Sequence, residues 1–197
     1  MPYSSWMVAR LKRETRGHHA SADGDRLRLL PARSTLTSYR DALVRIYGFE
    51  APVETAMSVT GDLAGIIDLE ARLKLRHLKA ALTGLGIPDP PTVPRYRVMP
   101  FRGAAEALGW LYVTERNTLL HSVIHRHLSA RIPDVLGRGG AYLAYYERAS
   151  LAKWLELGIA LDRVGADAEM AERIVNAANT AFTAQREWYG EQAALAS

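Results

Sequence analysis

Apolar residues recur every three to four positions along most of the chain, and no stretch alternates convincingly at period two. This spacing is typical of amphipathic helices with one face turned to a core. Residues 4–20 give the first predicted helix, in which Met7, Leu11 and Thr15 fall on one side and basic residues fill much of the rest. The pattern therefore predicts helices and no sheet.

Glycine and proline positions predict where these helices break. Gly24 and Pro31 interrupt the pattern, and Ser34 then provides an N-cap for a second helix. That helix carries SYRDALVRIYGFEAPVE, in which Gly48 and Pro52 predict a bend or break.

Further helical periodicity continues to the C-terminal end. It covers residues 68–84, 101–130, 140–163 and 167–190. Gly84 and Gly86 end the first of these segments before a proline-rich loop, and another break is expected from Gly137 to Gly140. The sequence thus predicts an all-α bundle of roughly six to eight helices in a single domain over residues 1–197.

Composition agrees with one ordinary globular domain. The 197 residues are 48% hydrophobic and 23% charged, so the chain is large enough to bury a continuous core. The absence of cysteine excludes disulfides, a thiol nucleophile and cysteine-ligated zinc or iron–sulfur sites. With no secretory signal and no apolar run long enough for a membrane span, we expect a soluble, cytoplasmic protein.

The formal net charge of +4 raises the question of an anionic partner. The arginines are dispersed along every segment and alternate with acidic residues, whereas a nucleic-acid-binding surface usually concentrates them. We therefore expect a local anion site and no nucleic-acid partner.

Two of the six histidines, His18 and His19, flank the apolar stripe of the first helix. A histidine at the edge of an apolar face is usually a packed side chain, and periodicity does not choose between the two. Lys12 and Arg16 lie nearby, as does Arg13, and such cations suit a ligand that carries carboxylates beside an imidazole-bound metal. Heme, with an iron and two propionates, is such a ligand.

A second histidine pair, His121 and His125, has the i,i+4 spacing of two zinc ligands. The glutamate of an HExxH motif is missing between them, so a zinc hydrolase is disfavoured. Glu106 and Glu115 could form a carboxylate pair in the same segment, but neither belongs to the ExxH pair of a di-iron bundle, so that site is disfavoured. The sequence also lacks a GxSxG elbow, a P-loop and a GxGxxG motif.

Several segments in order resemble the heme oxygenase family, especially its short bacterial members found beside phytochromes. LKRETRGHHA resembles the family's proximal helix, in which a threonine precedes the heme-ligating histidine by four residues. Thr15 and His19 have that spacing, and Lys12 lies seven residues before His19, where some members bind a propionate. The other similar segments are SYRDALVRIYGFEAPVE, LKAALTGLG with its proline-rich loop, AAEALGWLYVTERNTLLHSVIHRHL and VNAANTAFTAQREWY.

The resemblance implies an oxidoreductase for which heme is both cofactor and substrate. A proximal histidine, here His19, holds the iron, and bound oxygen hydroxylates the porphyrin edge to give biliverdin, carbon monoxide and iron. Lys12 and Arg16 are the expected propionate contacts, and Asn117 is the expected distal contact to oxygen or water. An electron donor and a photoreceptor or signalling protein are the implied partners.

The distal helix departs from the family pattern, because aligning its GxLYV motif places Arg116, Leu120 and His121 at the three family glycines. Glycines there let the helix lie against the porphyrin face. Three interpretations stay open. Leu120 could clash with heme and end its binding. His121 could become a sixth iron ligand in a non-catalytic sensor. Alternatively, the helix bends near Thr118 and catalysis persists, with Arg116 or Asn117 ordering oxygen. A protein-interaction module on the same fold is the remaining alternative to the enzyme.

Overall fold

The computed structural model describes residues 4–27, 35–87, 94–147 and 150–194, and its regular secondary structure is entirely helical. A short 3-10 turn, Glu70–Arg72, precedes α4. The helices are α1 (Trp6–Glu14), α2 (Arg16–Leu27), α3 (Leu36–Ser58), α4 (Leu75–Gly84), α5 (Ala104–Thr118), α6 (His121–Ser129), α7 (Pro133–Gly139), α8 (Ala141–Glu147), α9 (Ser150–Val164) and α10 (Ala168–Ala194). The predicted all-α fold is therefore confirmed.

The centre of the bundle is the packed pair of α5 and α10. In α5, every residue except Glu106 and Arg116 is buried, which is typical of a helix surrounded by others. The two helices meet closely at Gly109, where an added Cβ would lie 2.5 Å from the Ile174 carbonyl oxygen and 2.7 Å from the Ala177 Cβ. A glycine is therefore required at this crossing.

The first predicted helix is divided at Thr15. The Thr15 hydroxyl donates to the Leu11 carbonyl at 2.7 Å, so the side chain competes for helix hydrogen bonds. The expected break at Gly24 was wrong, because α2 continues through it to Leu27. Pro31 and the expected N-cap Ser34 lie outside the described residues.

Of the bend or break expected at Gly48 and Pro52, the break is wrong, since α3 continues through both residues. Thr35 is its N-cap, in a capping box with Ser38. Pro52 has no amide hydrogen to donate to the Gly48 carbonyl. That carbonyl instead accepts a hydrogen bond from Tyr96 N at 2.9 Å. A residue distant in sequence therefore compensates for the proline.

The boundaries of the other helices differ from their predicted ranges for local reasons. In the segment 68–84, the α-helix begins only at Leu75. There the Glu54 carboxylate accepts hydrogen bonds from Lys74 N at 2.6 Å and from Leu75 N at 3.1 Å. The segment 101–130 divides into α5 and α6 directly after Thr118, whose hydroxyl donates to the Glu115 carbonyl at 2.7 Å.

Toward the C-terminal end, residues 140–163 form two helices, α8 and α9, and not one. Gly137 lies within α7, so the expected break is confined to Gly140. Among the described helices, none has both the length and the apolar content needed to cross a membrane.

Candidate functional site

His18 and His19 lie on α2 and both pack against Phe182 of α10. The His18 ring is stacked on Phe182 with centroids 5.4 Å apart and planes 3° apart. The His19 ring is tilted by 54° with centroids 5.7 Å apart. Both imidazoles are therefore part of the packed contact between α2 and α10.

The predicted ligand His19 is hydrogen-bonded to the residue four positions before it. Its Nε2 lies 3.1 Å from the Thr15 hydroxyl oxygen. The single hydroxyl hydrogen of Thr15 is already donated to Leu11, so His19 Nε2–H donates to Thr15 and the lone pair of the neutral ring lies on Nδ1. Burial lowers the pKa of His19, and the nearby positive charge of Arg116 lowers it further.

Arg116, near the C-terminal end of α5, forms an ion pair with Asp23 of α2, which follows His19 by four residues. Its two terminal nitrogens donate to the two carboxylate oxygens of Asp23 at 2.6 and 2.9 Å. This is a bidentate pair of the strong, geometrically specific kind. Both side chains are only partly exposed, 15% for Arg116 and 35% for Asp23. The Arg116–Asp23 ion pair therefore connects α2 and α5 directly.

Asn117, the predicted distal contact, is directed to α10. Its amide nitrogen donates to Gln185 Oε1 at 2.9 Å, and both residues are buried. Asn117 and the adjacent Arg116 thus have different partners on different helices.

Leu120 and His121 occupy the turn and helix after α5. Leu120 is half-buried and packs against the hydrophobic core. His121 is buried and lies edge-to-face with Tyr142 of α8, with centroids 4.6 Å apart. Tyr142 in turn donates to Glu50 of α3 at 3.0 Å. The ring contact of His121 is therefore with α8, whereas those of His19 are with α10.

The remaining candidate ligands are not assembled into a metal site. Among the described residues, no group of three or more His, Cys, Asp or Glu side chains is arranged to hold a metal ion. Glu115 is buried and paired with Arg72 and Lys74, at 3.1 and 3.3 Å. Glu106 instead accepts from Arg102 N at 2.9 Å at the start of α5.

Three residues of this site were missed by the sequence analysis, namely Asp23, Phe182 and Gln185. Asp23 follows His19 by four residues, so its place on the same face of α2 was available from the spacing. Its partner lies 93 residues away, and no local pattern connects the two. Phe182 and Gln185 lie on a long helix whose facing neighbours are set by tertiary packing.

Comparison with known proteins identifies a family and a structural relative. A family model described as heme oxygenase matches residues 5–191. The heme oxygenase of Neisseria meningitidis, solved with bound nitric oxide and carbon monoxide, is similar in structure with a TM-score of 0.73. It is 21% identical, and the match covers 93% of this chain and 92% of that one. No curated protein matched in a sequence search.

Proposed function

Since the chain belongs to the heme oxygenase family, for which heme is the implied ligand and substrate, we propose that it is a non-catalytic member that neither binds nor degrades heme. The observation that carries this proposal is the bidentate Arg116–Asp23 pair between α2 and α5. The pair joins the helix of His19 to the helix of the lost glycines, and the resemblance places heme between these two helices.

The residues present do not fit a heme in this arrangement. A guanidinium and a carboxylate already neutralise each other across the gap, and separating them would expose both to a largely apolar ligand. His19 Nε2 is used as a donor to Thr15. A porphyrin would have to displace several packed side chains at once.

The two residues predicted to act in catalysis are already hydrogen-bonded to other side chains. Arg116 is paired with Asp23, and Asn117 is bonded to Gln185. Ordering of oxygen over a heme requires a donor directed at the reacting atom. Neither side chain has that freedom without losing its present partner.

The test is a hemin titration of the purified chain, followed at the Soret band, with a reductant and oxygen added afterwards. We expect no saturable Soret shift and no biliverdin from the wild type. The variant Arg116→Gly/Leu120→Gly/His121→Gly, which removes the pair and restores the three glycines, should gain a saturable shift. A wild-type shift that His19→Ala abolishes, followed by biliverdin formation, would sink the proposal. His125→Ala, a change of a partly exposed histidine on α6, is the matched control.

The second candidate is heme binding without degradation, and two observations favour it. The lowered pKa of His19 favours its neutral imidazole, which is the form that binds iron. In addition, Asn117 Oδ1 is buried and has no hydrogen-bond partner among the described residues. Such an acceptor marks a place for a water or ligand donor. Lys12 and Arg16, the predicted propionate contacts, are exposed.

The same titration separates this candidate from the first. A Soret shift that requires His19, with stable heme after reduction in air, would establish a heme-binding sensor. The role predicted for His121 as a sixth ligand is then tested by His121→Ala, which should abolish a bis-histidine visible spectrum if His121 binds the iron.

A further inference from the structure

A cavity of about 660 Å³ lies on another side of α10, away from the histidines. Residues 96–102 form one wall, the first two turns of α5 form the end, and α10 contributes Arg173, Asn176 and Thr180. This volume is within the range of about 300–1,000 Å³ found for small-molecule sites. We call it the basic–aromatic cavity, after Arg97, Phe101, Arg102, Trp110 and Arg173 in its lining.

The walls of the basic–aromatic cavity are held in place by contacts outside it. Tyr96, at the start of the extended wall, donates its backbone N–H to Gly48 of α3 at 2.9 Å. The Tyr96 ring packs against Phe49, with centroids 5.7 Å apart, and against Trp188, at 6.3 Å. A non-helical segment anchored in this way presents a preformed surface.

The apolar wall is aromatic. Phe101 and Trp110 pack with centroids 5.6 Å apart and planes tilted by 44°. Trp110 also lies against Phe49, at 6.2 Å, which fixes its other side. Rings of this kind favour a flat, conjugated ligand that can pack on a face or an edge.

The charges of the basic–aromatic cavity are unbalanced. Three guanidiniums line it, and the one acidic side chain in the lining, Glu106, lies 3.6 Å from Arg173. Arg173 also donates to the Arg102 carbonyl at 3.2 Å, so its position is fixed. Within the described part of the chain, no carboxylate is within ion-pair distance of the Arg97 or Arg102 guanidinium.

Cations beside aromatic rings select a particular ligand chemistry. Guanidinium groups bind carboxylates in a planar, bidentate manner and also stack on flat conjugated systems. A neutral ligand would leave these charges unused, and a small inorganic anion would leave the aromatic wall uncovered. We propose that the basic–aromatic cavity binds a flat, conjugated small molecule that carries carboxylate or similar acidic groups.

This site goes beyond the proposed function, because it shares no residue with the gap between α2 and α5. On α10 its side chains are Arg173, Asn176 and Thr180, whereas Phe182 and Gln185 contact α2 and α5. Closure of the gap by Arg116 and Asp23 therefore has no bearing on ligand entry here.

The test uses the full chain and the fluorescent probe 1-anilinonaphthalene-8-sulfonate, with its uncharged relative N-phenyl-1-naphthylamine. Arg97→Gln/Arg102→Gln should weaken binding of the sulfonate about fivefold to tenfold, as expected for the loss of two exposed ion contacts. It should leave binding of the uncharged probe within about twofold, since no ion contact is lost there. Asn176→Phe fills the cavity from α10 and should abolish binding of both probes.

The matched control is Arg40→Gln/Arg126→Gln, which removes the same charge at exposed positions on α3 and α6. Equal weakening of sulfonate binding by this control would overturn the proposal, because it would indicate a general charge effect. Unchanged binding in Asn176→Phe, or no saturable binding of the sulfonate by the wild type, would overturn it as well. Should Asn176→Phe fail to fold, Thr180→Phe provides the same obstruction from the next turn. Thermal unfolding of each variant shows that the folded chain is being compared.

Discussion

Arg116 of α5 and Asp23 of α2 are joined by two parallel hydrogen bonds of 2.6 and 2.9 Å across the gap between their helices. The resemblance to the family places a glycine at the position of Arg116, and a glycine has no side chain that could bond Asp23. Arg116 thus provides a direct, charged connection between the two helices.

The Arg116–Asp23 pair should contribute measurably to stability. In a double-mutant cycle with Arg116→Ala and Asp23→Ala, we expect a coupling energy of about 1 kcal/mol, because the contact is bidentate but partly exposed. The free energy of unfolding in urea gives each corner of the cycle. The Arg10–Glu14 pair of α1, with similar exposure but an i,i+4 geometry, is the control and should give about 0.3–0.5 kcal/mol. A coupling energy of zero for the first cycle would show that the Arg116–Asp23 pair does not stabilise the folded chain.

Glu115 should be far more important for stability than Glu156, although both bind Arg72. Glu115 is 1% exposed and accepts from Arg72 and Lys74, whereas the Glu156 side chain is 61% exposed. Removing the carboxylate between two buried cations costs about 3–5 kcal/mol. Glu115→Gln should therefore lower the free energy of unfolding by that amount, and Glu156→Gln by less than about 1 kcal/mol. Equal effects in urea unfolding would refute the burial argument.

Substitution by alanine should change the free energy of unfolding in opposite directions at Gly48 and at Gly24. A Cβ at Gly48 would overlap the Pro94 carbonyl oxygen and would lie 2.5 Å from a ring atom of Trp188. Overpacking of this kind costs about 1–3 kcal/mol, so Gly48→Ala should destabilise. Gly24, within α2, has nothing within 4 Å of the added atom, and Gly24→Ala should stabilise by about 0.5–1 kcal/mol. Midpoints of urea unfolding would show the two signs.

Stability should fall between mildly acidic and neutral pH because of Glu54. Burial raises its pKa from 4.5 to about 7, an effect that the positive charge of Lys74 partly offsets. Between these values the unfolded chain has lost the proton that the folded chain retains, so the free energy of unfolding falls as pH rises from about 4.5 to 7. The whole change is on the order of 3 kcal/mol.

The variant Glu54→Gln cannot titrate at this position, so its free energy of unfolding is compared with that of the wild type at each pH. The difference in unfolding free energy between the two proteins should change across this pH range and become constant above it. Parallel stability profiles for wild type and variant from pH 4.5 to 8 would show that Glu54 does not titrate as its burial implies.

Helical periodicity predicted much of the fold because it reports which faces are buried. The segment 167–190 corresponds closely to α10 (Ala168–Ala194), and the first and second predicted helices begin near the starts of α1 and α3. The errors arose where distant groups change a local preference. Pro52 was expected to bend or break a helix, yet α3 continues through it and Tyr96 supplies the missing donor. Residues before Leu75 were expected to be helical, yet Glu54 caps α4 at that point.

The site was less predictable than the fold. The four-residue spacing of Thr15 and His19 does correspond to a direct contact in the structure. The partners of Arg116 and Asn117 could not be read from the sequence, because Asp23 and Gln185 reach them only after α2, α5 and α10 have packed. The ligand role of His19 stays a prediction, as do the roles assigned to Lys12, Arg16, Leu120 and His121.

The hydrogen bond from Tyr96 to Gly48 connects the interior of α3 to the wall of the basic–aromatic cavity. It exists because Pro52 leaves that carbonyl without a helical donor. A residue with an amide hydrogen at position 52 would compete with Tyr96 for the same acceptor. Pro52 therefore links α3 to the wall of the basic–aromatic cavity through the Gly48 carbonyl, without contacting that wall itself. The backbone amides of the wall and of α3 should then exchange with solvent together, as one cooperative unit.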